Sequence, residues 1–203
     1  MVDFISDQGQ QSERFFKVNN TTDKPLPLEV FIQQRLVTGE ASEQLQATDD
    51  FMVFPPQVLI PPGKTQTVKV KYIGVPVAES LSYRVVFSQL PIADDASESS
   101  IKMLFQIGAL LFVTSDKLPQ KLTTELTANP NEWLVTNTGA GVLTLSAMTF
   151  GAKAGKQSYR WTWDDIKTLV ERQYLAPRQS VRINAVSILS NNEQLTQVEA
   201  SGY

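Results

Sequence analysis

Short runs of alternating apolar and polar residues dominate this chain, and turn residues separate them. The clearest run covers residues 66–73, where Val68, Val70 and Tyr72 alternate with two lysines. Because side chains of a β-strand point alternately to its two faces, this spacing predicts a half-buried strand. The proline–proline–glycine sequence at 61–63 predicts the turn before it. Strands at this spacing favour an antiparallel β-sandwich.

Two sets of such strands follow one another along the chain. The first set consists of residues 14–18, 26–36, 66–73, 83–90 and 101–113. The second set consists of residues 122–128, 132–137, 142–150, 158–163 and 180–189. The polar segment 114–120 contains a proline and is predicted to be a linker. We therefore predict an all-β protein with two domains, at residues 1–115 and 120–203.

One segment has a helical pattern instead. Asp164 and Asp165 are residue types that cap helices, and Ile166, Leu169 and Val170 follow at helical spacing. We predict a short connecting helix here.

The composition excludes several classes of chemistry. The chain has no cysteine and no histidine, so thiolate nucleophiles, the usual zinc ligands and the commonest general base are missing. We predict no enzyme activity, no metal and no cofactor, although a Ser–Lys hydrolase stays open as an alternative. The net charge of −3 argues against nucleic acid as a partner.

Membrane insertion is not expected either. No apolar run approaches the roughly 20 residues of a membrane helix. No signal peptide is visible at Met1, so the sequence is either that of a cytosolic protein or a mature or trimmed form.

The run that ends the first set has an unusual apolar face. Its apolar side chains recur at every second position, and they are Ile101, Met103, Phe105 and Ile107. Two interpretations stay open on this pattern alone. The face packs into the core of its own domain, or it binds a partner, because an exposed apolar edge otherwise promotes aggregation.

Four phrases of the first half occur in a specific order. They are F-M-V-F-P-P at 51–56, I-P-P-G at 60–63, E-S-L-S-Y-R at 79–84 and Q-L-P at 89–91. In this order they resemble the amino-terminal domain of the PapD-like periplasmic pilus chaperones, in the form closest to the archaic and alternative chaperone–usher branches. The resemblance covers about residues 1–115. It is looser in the second half, where Arg178 replaces a glycine of the family pattern.

The resemblance implies two immunoglobulin-like β-sandwiches in a boomerang arrangement. It also implies a periplasmic chaperone that binds and folds pilus subunits and delivers them to an outer-membrane usher. A pilus subunit lacks its last strand, and the chaperone fills the open groove with a strand of its own, the donor strand. The resemblance assigns this role to Ile101, Met103, Phe105 and Ile107.

The resemblance further implies basic residues that hold the carboxylate at the end of the subunit. Arg84 is the first candidate, and Lys102 and Lys121 are further candidates. The second basic residue of well-known members aligns near Gly108, which has no charge. Glu79 resembles an acid that forms an ion pair across the domain interface.

One alternative function stays open, and one further prediction follows from the donor strand. The acidic composition and the missing lysine are compatible with an immunoglobulin-like binding or structural module of the cell envelope that does not shuttle subunits. The apolar donor strand also makes self-association of the free protein a further prediction.

Overall fold

A computed structural model describes residues 1–91, 103–189 and 194–202. The chain forms two compact units. The first unit contains Met1–Arg35, Leu45–Val77 and Ser82–Val113. The second contains Leu36–Gln44, Ala78–Leu81 and Thr114–Tyr203. Two short segments of the first half thus group with the second unit, and the continuous domain bounds 1–115 and 120–203 stay a prediction.

The described part of the first unit is built from strands and one short 3₁₀ helix, Gly9–Ser12. The strands are β1 (Val2–Ser6), β2 (Glu13–Asn19), β3 (Leu26–Leu36), β4 (Gln44–Ala47), β5 (Phe51–Phe54), β6 (Gln57–Ile60), β7 (Thr65–Tyr72), β8 (Leu81–Gln89) and β9 (Gln106–Thr114).

Two sheets form from these strands. Among the described residues, one sheet has six strands in the order β1-β9-β8-β3-β4, with β6 also paired to β3. The other has the order β2-β7-β5. The alternation predicted for β7 is confirmed, because Val68, Val70 and Tyr72 are buried while Lys71 is exposed.

The core of the first unit lies between these sheets. Phe16 of β2 and Phe87 of β8 meet edge to face with ring centroids 5.8 Å apart. Val30, Val85 and Leu111 of the six-stranded sheet are also buried. Each fully buried side chain of this kind stabilises the fold by about 1.5–3 kcal/mol.

The described part of the second unit contains eight further strands and two short helices. The strands are β10 (Leu122–Leu126), β11 (Glu132–Asn137), β12 (Leu143–Thr144), β13 (Thr149–Ala154), β14 (Gln157–Trp161), β15 (Tyr174–Leu175), β16 (Ser180–Asn184) and β17 (Leu195–Ser201). The helices are a 3₁₀ turn at Leu145–Ala147 and α1 at Trp163–Ile166.

Three small sheets enclose the second core. Their orders in the described residues are β10-β11-β16, β12-β15 and β14-β13-β17. Trp133 of β11 is fully buried and stacks on Trp161 of β14 at 5.7 Å. Phe150, Ile166 and Ile183 also belong to this buried cluster, and they lie on β13, α1 and β16.

Several predicted boundaries were wrong. Residues 142–150 are not one strand, because the 3₁₀ turn at Leu145–Ala147 interrupts them. The strand predicted at 180–189 ends at Asn184. The described part of the strand predicted at 101–113 begins at Gln106, and positions 101 and 102 lie outside the described residues.

The predicted connecting helix is present but shorter, because α1 ends at Ile166 and both Leu169 and Val170 lie beyond it. Its cap also differs. Thr162 caps the helix, and its backbone N–H and hydroxyl donate to the Asp165 carboxylate at 2.7 and 2.8 Å. Asp165 therefore completes a capping box three residues inside the helix.

No helix in the described ranges has the length and apolar character needed to cross a membrane.

Candidate functional site

The residues just before β9 and at its start expose apolar side chains. Met103 is 87% exposed, Phe105 47% and Ile107 60%, whereas Ala109, further along β9, is buried. These three side chains therefore do not pack into the core of the first unit. Ile101, the fourth predicted member of this face, lies outside the described residues. We call Met103, Phe105 and Ile107 the apolar row.

Neighbouring strands hold β9 on both sides. The backbone N–H of Gln89, the last residue of β8, donates to the carbonyl of Phe105 at 3.0 Å. On the β1 side, the N–H of Leu110 donates to the carbonyl of Met1 at 3.0 Å, and Phe4 stacks on Phe112 at 5.2 Å. These contacts with β1 lie beyond the apolar row in the chain.

Arg84 lies on β8, the strand beside β9. Its cross-strand partner on β3 is Gln33, and its neighbours Tyr83 and Val85 are buried. Arg84 itself is half-buried, so its side chain lies on the outer face of the six-stranded sheet. On the β9 side, a Cβ atom at Gly108 would lie 3.6 Å from Arg84 Cδ.

The two other predicted anchors are Lys121 and Lys102. Lys121 belongs to the second unit, just before β10, and is exposed. Its carbonyl accepts hydrogen bonds from the N–H groups of Thr138 and Gly139 at 2.9 and 3.0 Å. Lys102 lies outside the described residues. The anchoring roles of all three basic residues stay predictions.

A buried tyrosine fixes β8 next to Arg84. The hydroxyl of Tyr83 donates to a carboxylate oxygen of Asp50 at 2.7 Å, and its ring packs edge to face on Phe51 at 4.8 Å. Burial raises the pKa of Tyr83 well above its ordinary value, and the bond to Asp50 raises it further. Sequence reasoning did not identify this pair.

Glu79 forms an ion pair within the second unit. Both terminal nitrogens of Arg178 donate to its carboxylate, each at 2.6 Å. These hydrogen bonds lower the pKa of Glu79 below its ordinary value. Arg178 is the residue that replaces a glycine of the family pattern, and its φ of 65° lies in the left-handed region that favours glycine.

A second arginine gathers two carboxylates in the same unit. Arg182 of β16 donates to both oxygens of Glu40 at 2.9 and 2.7 Å and to Glu132 at 3.2 Å. Beside it, the backbone of Gly39 bonds to Arg178 and Ser180 at 2.7 and 2.8 Å. Sequence reasoning missed this cluster, because its members lie up to 142 residues apart.

The outer face of the β2-β7-β5 sheet also exposes large apolar groups. Phe15 and Phe54 are both cross-strand partners of Lys69 on β7. The ammonium of Lys69 lies 5.5 Å from the Phe15 ring centroid and 2.6 Å from the Glu13 carboxylate. Phe15, Met52 and Phe54 are all more than half exposed. We call Phe15, Met52, Phe54 and Lys69 the aromatic face.

Comparison with known families matches one model to more than half of the chain. It is the family described as pili and flagellar-assembly chaperone, PapD N-terminal domain, and it matches residues 4–119. The matched region contains β8, β9 and the apolar row. No curated protein sequence matches the chain.

Solved structures of fimbrial chaperones share the fold. CfaA, a class 5 fimbriae chaperone, is 13% identical with a TM-score of 0.62, over 98% of this chain and 93% of its own. The E. coli chaperone DraB is 14% identical with a TM-score of 0.58, over 96% and 84%.

The third structure is the CsuC–CsuE chaperone–tip adhesion subunit complex from the archaic Csu pili of Acinetobacter baumannii. The match is 13% identical with a TM-score of 0.53, over 97% of this chain and 87% of that one. Likeness at these identities establishes the two-domain, immunoglobulin-like fold. The archaic branch stays a prediction.

Proposed function

This chain belongs to the family of pili and flagellar-assembly chaperones, and we propose that it binds pilus subunits in the bacterial periplasm by donor-strand complementation. The observation that carries the mechanism is the apolar row. Three large side chains just before β9 and at its start are exposed and recur at every second position.

A strand that is added to the sheet of a partner can bind through such a row of side chains. Backbone hydrogen bonds along the strand supply affinity, and alternate side chains enter pockets of the partner. Full burial of the three side chains would contribute about 5–9 kcal/mol before the costs of ordering. That is enough to retain a subunit that lacks one strand of its own sheet.

The decisive experiment compares the two faces of this segment. Met103→Asp with Phe105→Asp should abolish co-purification of the pilus subunit encoded beside the usher gene. Leu104→Asp is the matched control, because Leu104 is also exposed but does not belong to the apolar row. If the complex survives the double substitution, the donor strand lies elsewhere.

We also propose that Arg84 holds the terminal carboxylate of the subunit. A guanidinium binds a carboxylate through two parallel, charge-assisted hydrogen bonds, and Arg84 lies on the strand beside the apolar row. Arg84→Ala should lower subunit yield, and Arg84→Lys should restore it only partly. Lys121→Ala tests the weaker candidate, and an unchanged yield with Arg84→Ala removes Arg84 from this role.

Delivery to an outer-membrane usher needs a second surface, since the subunit occupies the apolar row. We assign this surface to the aromatic face, which lies on the other sheet of the same unit. Exposed clusters of this kind commonly mark interaction sites. Phe15→Asp with Phe54→Asp should leave subunit binding intact and abolish capture by the usher. Loss of both bindings, or of neither, contradicts this assignment.

The alternative is an envelope module with the same fold that does not shuttle subunits. It predicts that no usher gene lies beside the gene for this chain and that neither surface affects pilus assembly.

A further inference from the structure

We propose that Gly108 is a positioning residue for Arg84, because its missing side chain lets the arginine stem lie across β9 toward the subunit. The inference rests on the proposed function and refines how the carboxylate of the subunit is reached. It explains how one arginine on β8 serves a partner that binds along the neighbouring strand.

The Arg84 side chain lies close to Gly108. A Cβ atom added at Gly108 would lie 3.6 Å from Arg84 Cδ. The aliphatic part of Arg84 therefore passes next to the bare backbone of Gly108. A side chain longer than a methyl group would compete for the same space.

The backbone does not require glycine at this position. Gly108 is absent from the described residues with a positive φ, and it lies in a regular strand. Gly108 is also exposed, so core packing does not select a small residue there. The space beside Arg84 is then the remaining reason for a small residue at this position.

Side chains on the two faces of β9 have different proposed roles. Ile107 belongs to the apolar row, and successive side chains point to opposite faces. Position 108 therefore belongs to the face that carries Arg84. Adjacent residues of β9 thus serve the apolar groove of the subunit on one face and the basic anchor on the other.

The size of the substituent gives a graded expectation. Gly108→Ala should leave subunit binding unchanged, because 3.6 Å is an ordinary van der Waals distance for the added methyl group. Gly108→Leu should displace the stem of Arg84. Loss of a charge-assisted bond of this type corresponds to binding that is about ten- to a hundredfold weaker.

The test is a double-mutant cycle on the full chain. The probe is the pilus subunit encoded beside the usher gene, co-expressed in the periplasm, and the readout is its co-purified yield. Gly108→Leu should reduce the yield when Arg84 is present and change nothing in the Arg84→Ala background. Gly108→Val serves as a second variant, since β-branched residues suit strands and folding is retained.

A second arm tests the carboxylate. Two glycine residues added to the end of the subunit move its carboxylate away, and Gly108→Leu should then have no further effect. Equal losses with and without Arg84, or no loss at all, would overturn the role of Gly108. Failure of the proposed function is distinguishable, because binding would then also survive Met103→Asp with Phe105→Asp.

Discussion

Arg178 holds Glu79 through two hydrogen bonds of 2.6 Å while its own backbone adopts a φ of 65°. A left-handed conformation costs a residue with a Cβ atom roughly 1–2 kcal/mol. The ion pair therefore stabilises the fold at this position, whereas the backbone conformation destabilises it. The two contributions can be separated by substitution.

Arg178→Ala should destabilise the second unit by about 1 kcal/mol, because the ion pair is lost and the backbone strain stays. Arg178→Gly should be close to neutral, since it removes both. The pair is a partly exposed one, at 63% for Arg178 and 35% for Glu79, so a larger effect is not expected. Denaturation followed by tryptophan fluorescence measures this, because Trp133, Trp161 and Trp163 all lie in the second unit.

If Arg178→Gly is as destabilising as Arg178→Ala, the backbone conformation contributes nothing to the difference. The opposite substitution, Glu79→Gln, keeps the backbone and should lower stability by less than Arg178→Ala.

Acid should weaken the second unit. Hydrogen bonds from Arg178 and Arg182 lower the pKa of Glu79 and of Glu40 below the ordinary value of 4.5. A carboxyl group with a lowered folded-state pKa stabilises the fold above its unfolded pKa, and this stabilisation is lost as the pH falls through the folded value. The midpoint of denaturation of the native chain should therefore decrease once the pH falls below about 4.5.

The same titration has a matched control. Glu79→Gln and Glu40→Gln together should make the acid limb of the stability curve shallower. Glu132 and Asp165, whose pKa values are also lowered by hydrogen bonds, account for the part that remains. Glu171→Gln should not change the acid limb, because that side chain is 85% exposed and its ion pair with Arg172 is long, at 3.8 Å. An unchanged acid limb in the double variant would exclude these two carboxylates as its cause.

Tyr83→Phe should destabilise the first unit by about 1–3 kcal/mol, because the Asp50 carboxylate loses a donor in a half-buried position. Hydrogen exchange of β5 and β8 reports the effect locally. Tyr159→Phe is the control, since its hydroxyl donates to the exposed Gln157 side chain at 2.8 Å. Equal protection in wild type and Tyr83→Phe would contradict the importance of this bond.

The free protein should self-associate through the apolar row. Exposed apolar strand segments pair with other chains unless a partner covers them. Sedimentation velocity should show a concentration-dependent dimer that Met103→Asp with Phe105→Asp converts to a monomer. Dimers that persist in this variant would place the contact on another surface, with the aromatic face as the next one to test.

The sequence predicts the strands well where one face is buried, as in β7 and β11, because alternation and burial then coincide. Prediction from the sequence fails where a local turn or a capping hydrogen bond decides the secondary structure. The turn at Leu145–Ala147 interrupts an apolar run that reads as a continuous strand. Thr162 and not an aspartate caps α1, because the capping hydroxyl precedes the acidic residue that completes the cap.

The candidate site shows the same division. The period-two pattern predicts the residues of the apolar row, and the resemblance offers Arg84 as the anchor, a role that stays a prediction. Neither reveals the partner of Glu79, since Arg178 lies 99 residues away and occupies a position that the family pattern gives to glycine. The proximity of Gly108 and Arg84 likewise depends on strand neighbours, which one sequence does not specify.

The grouping of Leu36–Gln44 and Ala78–Leu81 with the second unit bears on the order of synthesis. Glu40 leaves the ribosome 142 residues before the arginine that binds it, and Glu79 leaves 99 residues before its own partner. Both acidic segments must wait unpaired while nearly the whole chain emerges. These two segments therefore cannot join the second unit until late in synthesis, and a fragment that stops near residue 115 would contain both segments without their partners.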